Sequence, residues 1–565
     1  MMNRSILFPA LLALAACQPN DHYDLIIRNG ILYDGSGSAP VIADLAIRND
    51  KIAAMGNLDS CEAVREIDAT GLAVAPGFIN ILSWANESLI ADGRSMSDIK
   101  QGVTLEVFGE GSSDGPLNSR MKKLRQESQG EIKYEIEWTS LKEYLDYLVR
   151  RGVSCNVASF VGATTVRVHE LGYSDRTPTD QEMSRMKKLV RQAMKDGAMG
   201  LSTSLIYAPA CYSRTDELVE LAKVAAEYDG LYITHLRSEG DRLLEAFDEM
   251  LTIAREAGIR SEIYHLKAAG RKNWTKMAEV IARIDAARAS GIEITADMYT
   301  YTAAATGLDA CMPPWVQEGG TEAWIGRLRD PEIRARLVEE ISEPGDNWEN
   351  FYDLAGSPDN IVLVRFTNDT LKKYSGMTLS EISEARSAGP VETLTGLLAD
   401  NGRDIDAVYF LMSEENLVRQ IRQPFVSFGS DAESQAAEGI FLRSGLHPRA
   451  YGNFARLIGR YVMDRETITL EEAIRRLTSL PADNLRLDRR GKLFPGHYAD
   501  IVVFDPLQVE DRATFTEPQQ YSTGMIHVFV NGTQVLANGE HTGEKPGVAV
   551  RRLAKARLIG SAALR

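Results

Sequence analysis

Two histidines stand where apolar runs end, His235 in "LYITHLRSEG" and His265 in "SEIYHLKAAG". The chain has only eight histidines, and four of them, His22, His497, His527 and His541, lie near its two ends. Two acids end similar runs, Glu110 in "LEVFGEG" and Asp431 in "FVSFGSDAE". A lone histidine is usually a satisfied core residue. Two on neighbouring strand ends, with carboxylates on other strand ends, form a ligand set that suits zinc and leaves a position for water. A rival chemistry starts from "Gly111-Ser112-Ser113-Asp114-Gly115", which matches the G-x-S-x-G elbow of serine hydrolases. That rival leaves both histidines without a role.

The elements that must carry these residues alternate. "DELVELAKVAAEYDG" places Leu218, Leu221, Ala222 and Ala225 at helical spacing and stops at Gly230. "DRLLEAFDEMLTIAREAG" and "MAEVIARIDAARASG" repeat the pattern, and a short apolar run follows each. Helix–glycine–strand units predict a parallel sheet with right-handed crossovers. Eight candidate strands can be counted: Gly77–Trp84, Val103–Gly111, Cys155–Gly162, Met199–Tyr207, Leu231–Glu239, Glu262–Ala268, Glu293–Tyr301 and Pro424–Asp431. Eight predicts an α/β fold of the (β/α)8 TIM-barrel type over residues 76–489, with its chemistry at the C-terminal strand ends. Residues 302–423 are too many for one helix and predict an insertion, with "DNIVLVRF" as a strand inside it. Both ends of the chain carry apolar runs around Asn-Gly, "LIIRNGILYDG" and "HVFVNGTQVLANG", a hairpin signal. Residues 23–75 and about 490–550 are therefore expected to form one small β-sandwich domain.

Composition narrows the function. The chain has 565 residues, 44% of them hydrophobic, and a net charge of −16, which argues against a nucleic-acid partner. No Cys-x-x-Cys exists, so neither a zinc knuckle nor a redox pair is indicated. "MMNRSILFPALLALAAC" reads as a lipoprotein signal peptide over residues 1–16, with Cys17 as the lipidated residue and 17–22 as a tether. The expected location is the bacterial cell envelope facing the periplasm, with the membrane touched only through that anchor.

The phrases "APGFIN", "QGVTLEVFGEG", "GLSTSLIYAP", "ITHLRSEG", "YHLK", "DMYTYTA", "GSDAE", "HPRAYGNFARLIGRY" and "GKLFPGHYADIVVFDP" together resemble the amidohydrolase superfamily, and within it the N-acyl-D-amino-acid deacylases. The resemblance implies metal ligands at His235 and His265 and a proton shuttle at Asp431. It implies a third ligand at Glu110, where the deacylases carry cysteine. It implies a substrate-carboxylate site at Arg449 and Lys267, and pocket tyrosines at Tyr299 and Tyr207. Thr300 and Ala305 replace a family proline and serine. Leu82-Ser83-Trp84 stands where the superfamily has the His-x-His of a second, more exposed metal position. The implied enzyme uses one divalent ion, with zinc favoured, and hydrolyses the amide of small N-acyl amino acids, with the D preference coming from the resemblance alone. Alternatives are a cyclic-amide hydrolase, a D-residue peptidase, or a non-catalytic surface lipoprotein.

Overall fold

The computed structural model describes residues 22–552 apart from residue 346. The signal peptide, Cys17 and most of the tether therefore lie outside the described residues.

Eight short parallel strands form the centre: Phe78–Asn80, Val103–Phe108, Asn156–Ser159 running on into Val161–Gly162, Gly200–Ser204, Leu231–His235, Arg260–Ile263, Ile294–Met298 and Val426–Phe428. Below they are called strands one to eight. Strands one, two and three pair in that order, and strands three to eight continue the series. A parallel bridge between Ser83 and Ala432 then ties the chain after strand one to the chain after strand eight. Nearly every residue of these strands is buried, as expected for parallel strands covered on both faces. Inside, Ile79, Ile81, Leu82, Leu105, Val107, Phe160, Ile233 and Tyr264 pack together.

Helices Thr215–Ala226, Leu243–Ala257 and Lys276–Ala289 follow strands four, five and six and bury the predicted apolar faces. Gly258 closes the second of these at φ +61°, a left-handed turn that glycine adopts without a Cβ penalty. The strands are shorter than the sequence predicts. Strand six stops at Ile263 and strand eight at Phe428, so His265 and Asp431 lie beyond the hydrogen-bonded ends.

The insertion between strands seven and eight holds a three-stranded antiparallel sheet of Ala304–Gly307, Asp406–Tyr409 and Ile361–Arg365, with Asp406–Tyr409 in the middle. It has its own hydrophobic cluster around Leu308, Trp324, Leu363, Leu394 and Tyr409. The strand expected in "DNIVLVRF" is present.

The chain ends meet in a nine-stranded sheet. Ala73–Pro76 stitches the halves together. It runs parallel to Ile31 and Leu32 on one edge and antiparallel to Ile501–Phe504 on the other. One hydrogen-bonded sheet thus joins strands from both segments of the expected small β domain. The first Asn-Gly is not a hairpin turn. His22–Leu32 is one continuous strand with a register shift between Ile27 and Gly30. Asn29 sits at φ +57° there, and a Cβ on Gly30 would meet Val74 Cγ2 at 2.5 Å. Close packing against Val74 makes the pair a bulge. The second Asn-Gly, Asn531-Gly532, is the expected tight turn, with φ +48° and +79° between paired strands.

Candidate active site

Strand ends converge on one cavity of about 580 Å³, lined among others by Glu110, His235, His265, Tyr299, Asp431 and Arg449. Glu110 follows strand two, and His235 is the last residue of strand five. His265 lies two residues past strand six, with φ +33°, an unusual backbone for a non-glycine residue. Its N–H donates to Asp297 Oδ1 at 2.8 Å, which fixes the turn that swings the ring inward.

His235 Nδ1 and His265 Nε2 lie 3.1 and 3.2 Å from the same atom, Glu110 Oε1. Ser204 Oγ donates to that oxygen at 3.0 Å. One ligand atom from each of Glu110, His235 and His265 falls within 4.8 Å of the others, and all three residues are buried. Three such donors turned on one point fit a divalent ion, with the ring edges already aimed. His235 Nε2, on the far side of its ring, makes no hydrogen bond and has only the Glu239 carboxylate 3.5 Å away, while Nδ1 is the nitrogen turned to Glu110.

Charge at the centre is finely opposed. Burial disfavours the Glu110 carboxylate, yet His265 and His235 hold it well below the ordinary carboxylate range. Burial and Lys267 disfavour the His265 imidazolium, but Glu239 and Glu110 outweigh them and push this histidine up to about 10. Lys267 and Glu239 both reach the histidines: Lys267 Nζ is 2.6 Å from His265 Nδ1, and Glu239 engages all three side chains. Its Oε1 accepts from Lys267 Nζ at 2.7 Å and lies 3.1 Å from His265 Nδ1, while Oε2 is 3.5 Å from His235 Nε2.

Lys267 thus sits in the wall, buried and engaged by Glu239, rather than free in the cavity. Tyr299 is buried and meets two cations with its ring: Arg449 Cζ is 4.5 Å and Lys267 Nζ 5.6 Å from the ring centroid. Its hydroxyl faces Met412 Sδ at 3.5 Å. Tyr207 packs edge-on to His235 with centroids 5.4 Å apart, and its hydroxyl reaches Thr306 Oγ1 of the insertion at 2.7 Å. Arg449 opens a helix, and its Nη1 is 2.8 Å from Asp431 Oδ2. His447 Nδ1 accepts from the Arg449 N–H at 3.0 Å, and His447 Nε2 lies 3.0 Å from Ala303 O, which fixes the tautomer with hydrogen on Nε2. Trp84 Nε1 donates to Asp431 Oδ1 at 3.1 Å.

All eight candidate residues border this cavity. Sequence reasoning missed Glu239, whose signal was its place four residues after His235 in the same motif. It also left Asp297 unassigned. The serine elbow is not built as one: Ser113 Oγ donates to Gly115 O at 2.7 Å and accepts from Gly162 N at 3.0 Å, with no histidine beside it.

A buried His–His–carboxylate centre at parallel strand ends, faced by a second carboxylate, defines the class of metal-assisted hydrolases. Comparison with known proteins narrows it. The profile of the amidohydrolase family matches residues 426–536. The chain is 31% identical to a D-aminoacylase of Alcaligenes xylosoxydans xylosoxydans, over 94% of this chain and 98% of that protein. It is 32% identical to an N-acyl-D-aspartate deacylase of the same organism, over 93% of this chain and 94% of that protein. Among solved structures, an N-acyl-D-glutamate deacylase from Bordetella bronchiseptica superposes with a TM-score of 0.77 at 30% identity, covering 94% of this chain and 100% of that one. That enzyme was crystallised with zinc and a phosphonate inhibitor that mimics the tetrahedral intermediate. A D-aminoacylase whose binuclear centre is described by one-metal activation and second-metal attenuation also superposes at 0.77, with 29% identity and the same coverage. The chain belongs to the amidohydrolases, in the family of D-aminoacylases and N-acyl-D-amino-acid deacylases.

Proposed function

We propose that this protein is a one-metal deacylase that hydrolyses N-acyl-D-amino acids to a carboxylate and the free amino acid, on a closed (β/α)8 barrel. The convergence of His235 Nδ1 and His265 Nε2 on Glu110 Oε1 carries the reading. A divalent ion held by Glu110, His235 and His265, with zinc best suited to that set, supplies Lewis acidity toward the amide carbonyl and a water of lowered pKa. Leu82 is packed in the interior and Trp84 is committed to Asp431, so neither offers a ligand for a second ion. Asp431 accepts the proton of the attacking water and returns it to the leaving nitrogen. Arg449 takes the amino acid's carboxylate, for which its planar fork is suited. Lys267 holds Glu239, which lies against both histidines, and itself lies 2.6 Å from His265 Nδ1. Tyr207 and Tyr299 line the substrate cavity.

The decisive experiment is metal analysis of purified protein followed by a deacylase screen with both enantiomers. About one ion per chain and turnover of the D series support the reading. Two tightly held ions, or no turnover of any N-acyl amino acid, would overturn it. Asp431→Asn should retain the ion and lose on the order of 10²–10⁴-fold in kcat. The exported, Cys17-anchored state belongs to the same proposal and is supported by the small-residue stretch before Cys17.

A further inference from the structure

We infer that Trp84 is a positioning residue for Asp431, fixing the carboxylate through one oxygen so that the other is left for chemistry. The inference rests on the role proposed for Asp431 above. The contact is a hydrogen bond from the indole, Trp84 Nε1 to Asp431 Oδ1, at 3.1 Å.

The backbone is built to hold it. Asp431 N donates to Leu82 O at 2.9 Å, and Trp84 N donates to Ala432 O at 2.9 Å. Asn80 reinforces the seam by accepting from Ser430 N at 2.9 Å and donating to Ser430 Oγ at 2.8 Å. Gly429 permits the approach, since a Cβ there would meet Leu82 Cβ at 2.7 Å and Leu82 N at 3.0 Å. Asp431 itself adopts φ +49°, a strained region that persists only where surroundings over-determine it. The indole and the carboxylate therefore belong to one rigid seam between strands one and eight.

The two carboxylate oxygens face different partners. Oδ1 meets the indole, a donor that cannot accept or give up a proton in this pH range. Oδ2 meets Arg449 Nη1 at 2.8 Å, on a separate helix, the cation proposed above to take the substrate's carboxylate. A base that must accept and later release one proton needs a fixed orientation and one free oxygen. Trp84 supplies the first without competing for the proton. Trp84 is also partly exposed and lines the cavity, a poor place for so large an apolar side chain unless its N–H has work there.

Trp84→Phe keeps a ring and deletes the N–H. Its kcat should fall on the order of tenfold, with KM within about twofold and metal content unchanged. The loss should fall on kcat rather than on KM, because a donor that orients the carboxylate is gone. An unchanged kcat, or a loss explained by KM or by lost metal, overturns the inference. A second measurement needs no turnover. Thermal unfolding of the metal-free wild type, Trp84→Phe, Asp431→Ala and the double variant forms a cycle. Trp84→Phe should lower the melting temperature only when Asp431 is present, and equal shifts in both backgrounds overturn the contact. Absence of deacylase activity in the wild type would remove the proposed function, and the unfolding cycle would then decide the pairing alone.

Discussion

Arg449 Nη1 lies 2.8 Å from Asp431 Oδ2, and both side chains are largely buried. The residue proposed to bind the substrate's carboxylate is thus ion-paired to the residue proposed to move the proton. A substrate contact and a salt bridge at Arg449 are not exclusive. An incoming carboxylate can take the guanidinium and release Asp431 in the same event.

That pairing gives a sharp expectation for Arg449→Lys. Lysine can neutralise Asp431 but cannot present two parallel donors to a second carboxylate. N-acyl amino acids should lose kcat/KM by on the order of 1.5–3 kcal/mol. Simple amides without a carboxylate should start poor and change by less than about threefold. Equal losses in the two substrate series would mean that Arg449 acts on Asp431 alone.

Metal loading should release protons. Free of metal, His265 is pushed up to about 10, so at pH 8 it carries a proton that a ligand nitrogen must give up. Calorimetry of zinc binding at pH 8, in buffers of different ionisation enthalpy, should show about one proton released per ion. Affinity should weaken as pH falls. Glu110→Gln should lose tight binding, because an amide replaces the one anionic ligand. Zinc uptake with no proton release would place the ion elsewhere.

Glu262, wholly buried in strand six, should make stability fall with rising pH. Its carboxyl accepts from Thr295 Oγ1 at 2.9 Å, Asn484 Nδ2 at 3.0 Å and Ser427 Oγ at 3.3 Å; burial outweighs these bonds and the pull of Arg260 and raises it to about 7. The folded protein therefore binds more protons than the unfolded chain between about 4.5 and 7, and stability declines across that window. The decline amounts to about 3 kcal/mol from this group. Glu262→Gln should melt higher than wild type at pH 8 and close to it at pH 4.5. A variant that tracks wild type at both values would remove Glu262 from the pH dependence.

Cys17 is testable by fractionation. Wild type should sediment with membranes and Cys17→Ala should not. Identical soluble distributions would end the lipoprotein proposal.

Much of this protein was legible along the chain. The helix–glycine–strand rhythm from Thr215 to Met298 marks parallel strands, because helical spacing of apolar residues and fully apolar short runs are local properties. Asn531-Gly532 marks a turn for the same reason: its positive φ is a property of two residues. His235 and His265 stood out because each ends an apolar run. What the sequence could not determine depends on groups far apart in it. Asn29-Gly30 has the same two residues as the true turn, yet Val74 and the strand around it make it a bulge. Lys267 was readable as a free cation, but Glu239 claims it across 2.7 Å. Trp84 and Asp431 are 347 residues apart and meet only because strands one and eight become neighbours. Side-chain partners are set by which strand ends are brought together, and for Trp84, Asp431 and Arg449 only the tertiary fold decides that.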